Sequence, residues 1–119
     1  MRGDNMCSKE KLKKVTDEVV KALLSVSDNI EKIILYGSQA RGDNTPESDI
    51  DILVILNVED HDIYPIKKLM WKQTNDISLA QDEVVSLVVS SGTEFSKMRN
   101  TLFYQNVARD VVELYGRVS

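Results

Sequence analysis

The eight residues DIDILVIL, Asp49 to Leu56, constrain the fold more than any other stretch of the chain. From Ile50 onward every residue but Asp51 is apolar, so the segment reads as a β-strand buried on both faces. A strand covered on both faces fits an α/β arrangement with helices packed against a small sheet. The two aspartates at one end run against that burial. Side chains alternate along a strand, so Asp49 and Asp51 share one face while Ile50 and Ile52 share the other. Carboxylates so placed repel each other and lose hydration. A divalent cation removes the conflict, since Mg²⁺ favours one or two carboxylates together with phosphate oxygens and water. The plainer alternative makes Asp49 a turn residue and pairs Asp51 with an arginine.

Around this strand the chain reads as α-β-(loop)-β-α-β-α-(β). Leu12, Val15, Val19, Leu23 and Val26 recur at helical spacing and predict a first helix over about Ser8 to Ser27, with Ser8 as its N-cap. EKIILYGS holds a strand, Lys32 to Tyr36, ended by Gly37. GDNTPES is loop, because Gly42, Asn44 and Pro46 are turn formers. Ile63, Ile66, Leu69, Met70, Gln73, Ile77 and Ala80 trace a second amphipathic helix, in which Met70 and Trp71 read as packing residues. EVVSLVVSS is a third strand, closed by Gly92, and TEFSKMRNTLFYQNVARD makes one or two short helices. VVELYG is either a last strand or the tail of that helix. The predicted fold is therefore α/β (α+β), a small mixed sheet flanked by helices in a single domain, 1–119, with residues 1–7 as a flexible tail.

Charge and cysteine usage narrow the function classes. Nineteen acidic against fifteen basic residues leave a net charge of -4, so no direct nucleic-acid binding is expected. The single cysteine, Cys7, forms no intramolecular disulfide and suits a reducing compartment. The start, MRGDNMCSKEKLKK, lacks the apolar segment of a signal peptide and no run reaches membrane length, so a cytoplasmic location without membrane contact is expected. His61, the one histidine, lies in a polar loop and reads as exposed. Phe95, Phe103, Tyr104 and Tyr115 read as core or subunit contact, and Lys9, Lys11, Lys13 and Lys14 as a solvated helix face.

The segment before the aspartates gives them a purpose. Gly37 and Ser38 follow a strand directly, and SQAR suits the first turn of a short helix. Glycine lets backbone amides approach a phosphate, and a helix start presents N–H groups to an anion. Ser38 adds a hydroxyl and Arg41 a planar cationic fork. A P-loop is excluded: Gly37 and Gly42 have its spacing, but Asp43 and Asn44 stand where Lys and Ser or Thr are required. A phosphate turn followed by two same-face aspartates describes a metal-dependent phosphoryl or nucleotidyl transfer site.

GSQARGDNTPESDIDILVIL resembles the G-S-x-A-R-G…S-D-x-D-[LI] signature of the minimal nucleotidyltransferases, small members of the DNA polymerase β-like superfamily. The element order and the ending TLFYQNVARDVVELYG are also similar, so the resemblance spans most of the chain. It implies that Gly37, Ser38, Arg41 and Ser48 hold the triphosphate of a nucleotide, most often ATP, and that Asp49 and Asp51 bind Mg²⁺, with Mn²⁺ as a substitute. An acceptor hydroxyl would attack the α-phosphorus and release pyrophosphate. The family's active members add a third carboxylate from a later strand. Here the aligned residue is Ser86, and Asp82 and Glu83 at the strand start are the candidates for a third ligand. The resemblance further implies a HEPN-domain toxin as partner, with this chain as the antitoxin that adenylylates it. Acceptor recognition then falls to the partner or to a homo-oligomer. An inactive antitoxin acting by binding alone, and nucleotidyl transfer to a small molecule, are the competing expectations.

Overall fold

The computed structural model describes residues 9–42, 49–109 and 111–117. Cys7, Ser8 and the loop positions 43–48 lie outside them. Helix α1 (Lys9–Val26) leads into strand β1 (Ile30–Tyr36) and the single turn α2 (Ser38–Arg41). Strand β2 (Ile50–Leu56) is followed by a 3-10 turn, Asp60–Asp62, and helix α3 (Ile63–Gln81). Strand β3 (Val85–Ser91), helices α4 (Gly92–Lys97) and α5 (Leu102–Arg109) and strand β4 (Val112–Gly116) complete the order. VVELYG is thus a strand, and the segment before it forms two helices.

The four strands lie in the order β3-β2-β1-β4. β1 runs antiparallel to β2 and to β4, whereas β2 and β3 are parallel and joined through α3. The sheet is mixed, as the alternation of elements predicts. β2 takes a central place because its apolar run can be covered on both faces, and five of its seven residues, Ile52 to Leu56, are buried together with Ile50. Ile50, Ile52, Val54 and Leu56 join Ile33 and Leu35 of β1, Val85 and Val89 of β3, Val15, Val19 and Leu23 of α1 and Met70 of α3 in the main core. The other face carries a thinner cluster, Ile34, Leu53, Ile55 and Val107, flanked by Tyr36, Phe95 and Phe103. One face is therefore roofed by α1 and α3 and the opposite one by the shorter α4 and α5.

Helix α3 turns inward the expected Ile63, Ile66, Met70 and Ile77, but not Leu69, Gln73 or Ala80. Met70 and Thr74 are buried and Ile63, Ile66 and Ile77 pack against the core, while Leu69 is 52% exposed and Gln73 and Ala80 face solvent. Spacings of three and four residues through 63, 66, 70, 74 and 77 hold one helical face, and the apolar Leu69 falls outside it. Trp71 is not a core residue either, at 40% exposure. Its Nε1 donates to the Leu87 carbonyl of β3 at 3.2 Å, and Lys67 Nζ lies 5.8 Å from its ring centroid. β3 is an edge strand, and the indole both covers that edge and satisfies its own N–H there.

Candidate functional site

Strand pairing makes the site before any side chain is considered. Asp51 of β2 is the register partner of Tyr36 on β1 and of Ser86 on β3. Register partners project to the same side of a sheet, so Tyr36, Asp51 and Ser86 form a row across three strands. The row lies on the α5 face, and the Tyr36 ring meets Phe103 of α5 edge-on at 5.8 Å between centroids. Asp49 immediately precedes β2 and is exposed, whereas Asp51 is half-buried. The charges of the two aspartates act on each other across the start of β2. Burial, and then the charge of Asp49, raise the Asp51 carboxyl above its ordinary pKa. Tyr36 is pushed up to about 12, by burial first and by the Asp51 charge second, which keeps it a neutral phenol.

Gly37 links the turn after β1 to the Asp51 carboxylate. Its φ of 77° and ψ of -158° place it where only glycine is at ease. A Cβ here would lie 2.5 Å from Asp51 Oδ2, far inside contact distance. The Asp51 carboxylate thus packs against the Gly37 backbone, at the point where β1 turns into α2. The N–H groups of Ala40 and Arg41 donate to the Gly37 carbonyl, both at 3.1 Å, and Gly42 N–H donates to the Ser38 carbonyl at 2.9 Å. These bonds close SQAR into the predicted helical turn, with Ser38 at its start and Arg41 exposed at its end.

Not every expected residue joins this group. Ser48 lies outside the described residues. Asp82 and Glu83 stand at the same end of the sheet, just before β3. Asp82 is the left-handed C-cap of α3, at φ 54°, and Glu83 Oε2 lies 3.8 Å from Lys11 Nζ of α1. Among the described residues no group of three or more His, Cys, Asp or Glu side chains is placed to hold a metal. His61 is exposed, with Nε2 3.5 Å from its neighbour Asp62. A polar cleft of about 680 Å³, lined in part by Asn57, Glu59, Asp62 and Thr93, opens at the far end of β2 and holds none of these residues. Sequence reasoning missed Tyr36 and Phe103 as walls of the site. Parity with Ile34 along β1 was the available signal for Tyr36, whereas nothing local placed Phe103 beside it.

Comparison with known proteins bears on this geometry. The profile of the family described as nucleotidyltransferase domain matches residues 12–113. A protein of Methanocaldococcus jannaschii that carries the provisional name of protein adenylyltransferase is 40% identical over 104 residues, 86% of this chain and 96% of its own length. A nucleotidyltransferase-like crystal structure from Sulfolobus solfataricus superposes with a TM-score of 0.63 at 21% identity, covering 98% of this chain and 94% of that one. The solved complex of a tri-AMPylated Shewanella oneidensis HEPN toxin with its MNT antitoxin gives a TM-score of 0.56 at 20% identity, over 89% of this chain and 73% of the matched one. At such identities the two structures speak to the fold. Among the described residues, no helix is long and apolar enough to cross a membrane.

Proposed function

This chain belongs to the nucleotidyltransferase domain family, and from that premise we propose that it transfers AMP from ATP to a hydroxyl of a HEPN-domain partner, which it neutralises as an antitoxin. The observation that carries the reading is the seating of the Asp51 carboxylate against Gly37. It brings the turn read as phosphate-binding next to a carboxylate read as a metal ligand. The donor set suits a divalent cation, because both causes that raise the Asp51 pKa, burial and the Asp49 charge, are relieved by a positive ion. Asp49 and Asp51 would hold Mg²⁺ or Mn²⁺, which when bound supplies Lewis-acid charge to the triphosphate.

The chain's own residues supply binding and orientation. Gly37 and Ser38 present backbone and hydroxyl donors to phosphate oxygens, Arg41 adds positive charge, and Ser48 extends the same set. With the nucleotide so held, the acceptor oxygen bonds to the α-phosphorus and the bond to the β-phosphate bridging oxygen breaks. Pyrophosphate leaves, and the proton of the acceptor hydroxyl passes to solvent water. The row of Tyr36, Asp51 and Ser86 lies on the thinly roofed face of the sheet, which suits a bulky protein acceptor. The provisional name of the Methanocaldococcus relative and the AMPylated toxin of the Shewanella complex support a protein rather than a small-molecule acceptor.

Incubation of the chain with ATP labelled in the α-phosphate, Mg²⁺ and the HEPN-domain protein encoded beside it tests the reading. Label is expected on the partner, and Asp49→Asn and Asp51→Asn should each abolish it. Absence of label with all three forms would overturn the proposal. A second reading, neutralisation by complex formation alone, draws on Ser86 standing beside Asp51 where a carboxylate would strengthen the centre. It predicts that both aspartate variants still silence the partner without ATP.

A further inference from the structure

We infer that this centre, read as above as a nucleotidyl-transfer site, is built to hold one divalent cation rather than two, and that Ser86 sets that number. Asp51 is flanked across the sheet by two neutral hydroxyl residues, Tyr36 on β1 and Ser86 on β3. On the β1 side Asp51 Oδ2 lies against Gly37 and the phosphate turn. On the β3 side Ser86 is the side chain in register with Asp51.

Neighbouring strands are about 4.8 Å apart, so a carboxylate at position 86 would reach the space beside Asp51. Two-metal centres hold their ions about 3.5–4 Å apart and need anionic ligands for both. Two dications carry four positive charges, and Asp49 and Asp51 return two. Glu83 lies 3.8 Å from Lys11, and among the described residues no third acidic side chain is grouped with Asp49 and Asp51. A serine hydroxyl adds no charge. With one cation between Asp49 and Asp51, the chain meets the preference of Mg²⁺ for one or two carboxylates, phosphate and water.

The test is a count of bound Mn²⁺, added alone, by electron paramagnetic resonance and equilibrium dialysis. One Mn²⁺ per chain is expected for the unmutated protein and for Ser86→Ala, and none for Asp49→Asn. Ser86→Asp is expected to bind a second Mn²⁺, or to bind the first at least ten-fold more tightly, with a spin-coupled spectrum when both sites fill. Two ions on the unmutated chain, no ion at all, or a folded Ser86→Asp that binds as the unmutated chain does would overturn the inference. Should Ser86→Asp fail to fold by circular dichroism, the counts for the unmutated chain and Ser86→Ala still decide. Label transfer with two bound ions sinks the metal count alone. One bound ion without label transfer sinks the transfer reading alone.

Discussion

At Gly37 backbone conformation and chemistry meet in a single residue. A methyl group there would be forced into left-handed backbone and into Asp51 Oδ2 at once. Gly37→Ala should therefore displace the carboxylate, lower label transfer on the order of 10²-fold and cost about 1–3 kcal/mol in chemical denaturation. Asp51 carries the opposite balance of stability and function. Its folded pKa is raised, so the unfolded chain releases this proton first as pH climbs. The stability linked to its protonated form is complete below the ordinary carboxylate pKa and is lost as pH rises through the folded value. Asp51→Asn removes that penalty. Without divalent cation at neutral pH, its thermal midpoint should exceed that of the unmutated chain even as transfer is lost, and the difference should vanish in acid.

Helix α3 and strand β3 show how elements, rather than residues, set the packing. Thr74 lies in the buried stripe of α3, yet its hydroxyl has no hydrogen-bond partner among the described residues. Thr74→Val keeps the shape and removes an unsatisfied polar group, so it should stabilise the chain by about 1 kcal/mol in urea titration. At the other end of β3, Ser91 is fully buried and accepts the Glu94 N–H at 3.0 Å as N-cap of α4. Its hydroxyl also donates to Asp60, which ties the 3-10 turn to that cap. Ser91→Ala should cost about 1–2 kcal/mol by the same measurement, with label transfer unchanged because the cap lies away from Asp51. Both residues read from the sequence as unremarkable polar positions in a helix and a strand.

Over the whole molecule the two faces of the sheet are unequally built. The α1–α3 side holds the main core, and the α4–α5 side rests on a cluster of four buried residues. Amides of α4, α5 and β4 are expected to exchange hydrogen faster than those of β1, β2 and β3, as measured by native-state exchange. Uniform protection across both layers would contradict this. The lighter layer is also the one beside Tyr36, Asp51 and Ser86.

The sequence by itself determined the order of elements as far as β3, the burial of β2 on both faces and the glycine turn that follows β1. These follow from local periodicity, turn chemistry and the alternation of side chains along one strand. It did not place Tyr36 beside Asp51 or Phe103 beside Tyr36, since contacts between elements distant in sequence depend on how the whole sheet assembles. Nor did it show that Gly37 makes room for the Asp51 carboxylate, that Trp71 guards the β3 edge, or that Glu83 turns to Lys11. Those outcomes rest on which apolar stripe wins the core and which sheet edge is left uncovered. Only the tertiary structure decides them, because burial is shared among all elements and no single segment encodes it.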